Sequence, residues 1–180
     1  MHRFTMAATV LAAALGVTIS AQKTTPMQTG SGGSQHVRTE STIHGAKITI
    51  EYGRPTLKGR TPGKDIDPFE GKEWRTGADE QTTLRTDKPL KIGTLAVPAG
   101  AYGIHTIPVQ GVWQLIVSKR AAGWGIPYPA GLDLGRVPMT MDKTAAPVEK
   151  LTISVDDTPA GGTLRIEWGA TKATVPFTVG

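Results

Sequence analysis

Apolar and polar residues alternate with period two in five stretches of the chain. Ala46, Ile48, Ile50 and Tyr52 alternate with Lys47, Thr49 and Glu51, which puts an apolar set on one face of a β-strand and a polar set on the other. The same alternation runs through Trp113-Leu115-Val117, Leu151-Ile153-Val155, Leu164-Ile166-Trp168 and Ala173-Val175-Phe177-Val179. Less regular strand candidates are His36 to Ile43, Gln81 to Thr86, Leu90 to Val97, Ala101 to Ile107 and Leu134 to Met141. Hairpin-length turns separate them at His44-Gly45, Asp87-Lys88-Pro89, Pro98-Ala99-Gly100, Pro108 to Gly111, Thr158 to Gly162 and Gly169-Ala170. Beyond Ser34 the longest stretch without Gly or Pro is about 11 residues, and each such residue inside a helix costs about 1 or 3 kcal/mol respectively. Long helices are therefore not expected. About ten short strands with one apolar face each predict an all-β, single-domain antiparallel β-sandwich of jelly-roll type.

The ends and the loops read differently. Residues Met1 to Ala21 have His2 and Arg3 at the start, an apolar run from Met6 to Ile19, and Ser20-Ala21 before Gln22. This is the layout of a secretory signal peptide cut near Ala21, and it predicts a secreted or periplasmic protein. The apolar part, about 14 residues, is short of the roughly 20 that span a bilayer as a helix, so the mature chain is expected to have no membrane span. Gln22 to Ser34 (QKTTPMQTGSGGS) has Met27 as its one large apolar side chain and reads as a flexible linker before a domain over 35–180. Two irregular stretches, Gly53 to Gly77 and Ala121 to Gly135, exceed hairpin length, and long loops on a β-scaffold are where sites tend to sit.

Composition narrows the chemistry. A chain of 180 residues with 22 Gly, 13 Pro and no Cys is turn-rich and has no thiol nucleophile, thiolate metal site or disulfide framework. The formal charge of +5 falls by one if Arg3 is removed, and the cations are spread among carboxylates rather than clustered, which argues against nucleic acid. The three histidines beyond the leader, His36, His44 and His105, lack the spacing of a helical zinc site, and His36 and His44 read as solvated turn residues. No metal or other cofactor is expected. The serine-hydrolase signatures are missing, and Gly59 to Asp65 (GRTPGKD) is one residue too short between its glycines for a phosphate loop.

Several groups remain as candidates. Asp65, Asp67, Glu70 and Glu73 make an acidic stretch that reads as a solvated loop, with a hard-cation site as the alternative. Arg54, Lys58, Arg60 and Arg75 make a basic constellation suited to a carboxylate, phosphate or sulfate, because arginine offers a planar fork to paired oxygens; the competing account is that they pair with Glu51, Glu73, Asp79 and Glu80 as structural ion pairs. Trp113 and Trp168 are in phase with the core. Trp74 and Trp124 lie beside glycines, where a ring either stacks on a sugar or covers the end of the core. His105 alternates with Ile104 and Thr106 on the strand of Tyr102, as a pocket residue or an ordinary strand histidine.

Taken together, Ile50-Glu51-Tyr52-Gly53-Arg54-Pro55 with Lys58-Gly59-Arg60, Trp74-Arg75-Thr76-Gly77-Ala78-Asp79-Glu80 with Thr82-Thr83, Pro98-Ala99-Gly100-Ala101-Tyr102, Thr106-Ile107-Pro108, Trp113 and Trp124-Gly125 resemble the secreted bacterial family known as domain of unknown function 2911. The resemblance runs from about Ser34 to Phe177 and implies a β-rich exported protein, with no established activity or catalytic residue. Asp79 stands where that family usually has Asn, and Gly53 where it often has Ser. The residues favour a non-catalytic domain that binds a small anionic molecule or a glycan, or engages an envelope protein. A ligand is expected where Gly53 to Glu80 meets the strand of Tyr102 and His105, with Arg54, Lys58, Arg60, Trp74, Arg75 and Glu80 around it. The alternatives are a hydrolase or lyase using Glu80 and His105 with arginine clamps, and a structural partner acting through an open sheet edge.

Overall fold

The structure, a computed structural model, describes residues 22–180; the signal-peptide reading of 1–21 lies outside the described residues. Eleven strands follow in chain order: β1 (Lys23–Thr29), β2 (Gln35–Ile43), β3 (Ala46–Gly53), β4 (Thr82–Thr86), β5 (Leu90–Ile92), β6 (Leu95–Val97), β7 (Gly100–Val109), β8 (Val112–Ser118), β9 (Asp133–Pro138), β10 (Thr140–Thr158) and β11 (Gly161–Val179). They form a seven-stranded sheet of order β1-β2-β3-β4-β7-β8-β9 and a four-stranded sheet of order β10-β11-β5-β6. Every pairing is antiparallel. This is the all-β sandwich that the alternation predicts. Among the described residues no helix is long and apolar enough to cross a membrane.

The apolar sets read from the sequence are the buried ones. Ile48, Ile50 and Tyr52 of β3, Leu115 and Val117 of β8, Leu151 and Ile153 of β10 and Ile166 and Trp168 of β11 line the space between the sheets. Tyr52 joins the two layers: its buried hydroxyl accepts the Ile153 amide proton at 2.9 Å. Burial pushes the phenol above its ordinary range, so it stays a neutral donor and acceptor. Trp168, Trp74 and Trp113 form a buried aromatic triad, with Trp74 stacked on Trp168 at 5.5 Å and edge-on to Trp113 at 6.1 Å. Trp74 thus covers the core, and its indole N–H donates to Gly77 O at 3.1 Å.

Four expectations need correction. The candidate Leu90 to Val97 is a hairpin and not one strand, since β5 ends at Ile92 and β6 turns back from Leu95 to pair with it antiparallel. The turn at Gly169-Ala170 does not divide two strands, because β11 runs through it as a 19-residue strand. Its inward set shifts from even positions (Leu164, Ile166, Trp168) to odd ones (Ala173, Val175, Phe177), and such a change of parity needs an irregularity in the ladder. Register shifts between Lys143 and Thr152 of β10 supply it, with Gly169 opposite at φ +59°. The candidate Leu134 to Met141 crosses from one sheet to the other, since β9 ends at Pro138 and β10 begins at Thr140. Lastly, the stretch read as a linker contains β1, whose seven side chains are all exposed. Main-chain pairing with the edge of β2, from Lys23 opposite Glu40 to Thr29 opposite Gln35, requires no apolar side chains, so composition did not reveal it.

Because Trp74 is 3 % exposed and touches both other triad rings, Trp74→Ala should destabilise the protein by about 3–5 kcal/mol. Urea denaturation measures this, and a loss below about 1 kcal/mol would show that the triad contributes little.

Candidate functional site

The later part of the Gly53–Glu80 stretch is positioned by a bridge between Trp74 and Thr106. Trp74 N–H donates to Thr106 O at 2.8 Å and Thr106 N–H to Trp74 O at 2.9 Å, so this residue pair extends the ladder of β7 past the start of β4. With Trp74 facing the core, its neighbours Glu73 and Arg75 fall on the outer face of the seven-stranded sheet. The chain then turns through Thr76 and Asp79 in left-handed conformations (φ +53° and +63°). Thr82 Oγ1 holds the turn by donating to Thr76 O at 2.7 Å. A β-branched residue at positive φ carries strain, and here the surrounding hydrogen bonds enforce it. The outcome is that Asp79 and Glu80 are set beside His36 at the start of β2.

His36, Asp79 and Glu80 form a compact cluster. His36 Nε2 lies 3.9 Å from Asp79 Oδ2 and 3.4 Å from Glu80 Oε2. His36 and Asp79 are buried, whereas the Glu80 side chain is 40 % exposed. The glycine-serine loop after β1 closes over the group: Ser34 N–H donates to Asp79 Oδ2 at 2.7 Å, and the Ser31 hydroxyl donates to Glu80 Oε1. The Ser31 hydrogen bond holds the Glu80 carboxyl below its ordinary range. The cluster stands at one end of an open cleft of about 880 Å³ on the outer face, whose lining includes Arg38, Glu51, Thr83 and Arg85. His36 is therefore not the solvated turn residue that its position suggested.

A second cleft, of about 320 Å³, is lined by charges of one sign. Arg54, Lys58, Arg60 and Lys150 line it, and none of its lining residues is acidic. After β3 the chain crosses to the other sheet, where Thr56 bridges Lys150 of β10. Arg54 Nε donates to Leu151 O at 2.9 Å and its Nη2 to Thr152 Oγ1 at 3.0 Å. Arg60 donates to Leu57 O at 2.9 Å and to Thr56 O at 2.8 Å. Both guanidiniums are thus fixed by neutral oxygens and not by carboxylates. Among the described residues neither takes part in the ion pairs that the structural account called for.

A family model described as "Protein of unknown function (DUF2911)" matches residues 34–177. The chain belongs to that family. No curated protein and no solved structure matches it. Asp79 belongs to the His36 cluster and Gly53 adjoins it: a Cβ at Gly53 would come 2.1 Å from Ala78 O and 2.7 Å from His36 Nε2.

The fold of this DUF2911 domain divides the residues singled out from sequence. Arg54, Lys58 and Arg60 meet in the basic cleft, joined by Lys150, which sequence reasoning missed because 90 residues separate it from Arg60. Glu80 belongs to the His36 cluster. Arg75 lies over the Trp124 ring at 4.6 Å and donates to Trp124 O at 3.1 Å; burial pushes its pKa down, against the opposing charges of Asp79, Asp67 and Glu80. Trp74 is core, and so is Tyr102, whose hydroxyl donates to Pro98 O at 2.9 Å. The acidic stretch does not converge, since Asp65 accepts from Thr61 N–H, Glu70 from Gln110 N–H, and Glu73 pairs with Arg136 at 3.6 Å.

His105 points to the outer face of β7, where the Ala121–Gly135 stretch covers it. It is fully buried, edge-on to the Tyr128 ring at 5.1 Å, and among the described residues neither ring nitrogen has a hydrogen-bond partner of regular geometry. Burial lowers its pKa from 6.5, against weaker opposing effects of the Gly125 backbone, Asp133 and Glu73. Tyr128 donates to Asp133, which also accepts from Arg136 Nε at 2.7 Å, so the polar groups above His105 are occupied with one another. His105 does not line the cleft that Glu80 lines.

Because the folded-state pKa of His105 lies below its unfolded value of 6.5, the unfolded chain binds the proton more readily. The contribution of neutral His105 is complete above pH 6.5 and is lost as the pH falls through 6.5 toward the folded-state value. Denaturation at a series of pH values should show stability falling over that interval in the wild type and a shallower fall in His105→Leu. Equal slopes would refute the assignment.

Proposed function

We propose that the protein is a non-catalytic binding domain, exported to the periplasm or beyond, that takes a small anion with several oxygens in the cleft of Arg54, Lys58, Arg60 and Lys150. The observation that carries this reading is the way the two arginines are held. A guanidinium bound to backbone carbonyls and a threonine hydroxyl is fixed in place but keeps its full positive charge, and four cations face the cleft without an acidic lining residue. The field they make attracts an anion, and the lysines, exposed at the rim, are free to close on it. The apolar run of Met6 to Ile19 after Arg3 supports export. The hydrolase reading has less support: it pairs Glu80 with His105, and His105 is fully buried.

Phosphate, sulfate, citrate and sugar phosphates are the probes for a thermal-shift and calorimetric screen at low salt. A charge-assisted hydrogen bond contributes about 1.5–3 kcal/mol, so Lys58→Gln and Lys150→Gln should each weaken binding about tenfold or more while leaving the melting temperature of the free protein unchanged. Added salt should weaken binding further. Arg54→Ala should lower stability as well as affinity, because it also releases Leu151 O and Thr152. If none of these anions stabilises the protein, or if the lysine variants bind as the wild type does, the proposal fails.

A further inference from the structure

The geometry points to a second site, independent of the basic cleft: His36, Asp79 and Glu80 bind a divalent transition-metal cation of the Zn²⁺ class. One donor atom from each residue lies within 4.8 Å of the other two. Zn–N and Zn–O bonds of about 2.0–2.2 Å at tetrahedral angles separate ligand atoms by roughly 3.3–3.6 Å, against 3.4 and 3.9 Å from His36 Nε2 to the two carboxylate oxygens. Along these two separations the donors need move at most a few tenths of an ångström. One imidazole and two carboxylates suit zinc and its neighbours better than magnesium or calcium, which take oxygen alone.

Two further observations point to a ligand here. His36 is 8 % exposed, and its Nε2, aimed at the carboxylates, has no hydrogen-bond partner among the described residues; a buried polar atom is rarely left so. The space where the donors converge is also kept open by glycine. A Cβ at Gly30 would lie 2.4 Å from His36 Nε2, 2.6 Å from Asp79 Oδ2 and 2.8 Å from Glu80 Oε2, so any side chain would fill it. Asp79 is buried with Ser34 N–H as its one hydrogen-bond donor among the described residues, and a buried carboxylate needs more compensation than that. Glu80, exposed toward the larger cleft, leaves the remaining coordination position to solvent or to a ligand in the cleft, as catalytic and exchangeable zinc sites do.

The test is calorimetry with Zn²⁺ on metal-stripped protein, with Co²⁺ as the spectroscopic probe. One Zn²⁺ should bind per chain with a dissociation constant of about 10 μM or tighter, and Co²⁺ should develop the intense visible absorption of a four-coordinate site. His36→Ala and Glu80→Gln should each weaken binding at least about tenfold. Gly30→Ala, which removes no donor, should do the same by filling the space. His44→Ala, which alters the exposed histidine beside Asp157, and Lys150→Gln should leave it unchanged. The proposal is overturned if Zn²⁺ does not bind at about 100 μM, or if folded His36→Ala and Gly30→Ala both bind as the wild type does. In the first case the cluster is an ion pair of the imidazole with its carboxylates and nothing more. Failure here leaves the anion screen untouched, because the basic cleft shares none of these three residues.

Discussion

The pairing of Trp74 with Thr106 is the constraint on which the rest of the outer surface depends. Two main-chain hydrogen bonds and a buried indole fix one residue of an otherwise irregular stretch. Once Trp74 is in the core, alternation sends Glu73 and Arg75 outward, and the strained turn at Thr76 delivers Asp79 and Glu80 to the end of β2. Arg75 holds Trp124, while the Gly123 and Arg120 carbonyls accept from the Gln81 backbone and side-chain N–H groups. The same short segment thus anchors the loop that buries His105.

The two clefts, one of mixed charge and one basic, acquire their character from the two ways in which the chain leaves β3 and returns to β4. On leaving, it crosses to β10 and satisfies Arg54 and Arg60 with carbonyl oxygens, which concentrates positive charge at one end of the sandwich. On returning, it brings two carboxylates against a buried histidine. A thirteen-residue stretch ahead of the domain, weak in apolar side chains, supplies both an edge strand and the lid over that histidine. Lys23 and Pro26 on this strand also make the exposed edge a poor template for further pairing, which weakens the case for a partner docked there.

The fold was legible in the sequence because burial between two sheets imposes a period of two, and Ile48-Ile50-Tyr52, Leu151-Ile153-Val155 and Leu164-Ile166-Trp168 report it directly. The even-to-odd shift across Gly169 was legible too, but it was read as a turn; a bulge and a turn leave the same mark in one strand, and only the partner strand tells them apart. Strand β1 left no mark at all, since backbone pairing at a sheet edge is indifferent to side chains.

The basic cleft was half visible, through Arg54, Lys58 and Arg60, which lie within seven residues and share a loop. Lys150 and the neutral partners of Arg54 were not, because those contacts join positions about a hundred apart along the chain. For His36, Asp79 and Glu80 no spacing signal exists: a metal-binding helix repeats its ligands every three or four residues, whereas these come from the start of β2 and from a strained turn reached only after β3 and the long loop that follows it. The sequence by itself determined which residues face inward, and hence the class of fold. Which polar residues meet was decided only by the tertiary structure, since on the outer face no periodicity constrains a side chain and proximity follows from how the loops cross the sheet edges.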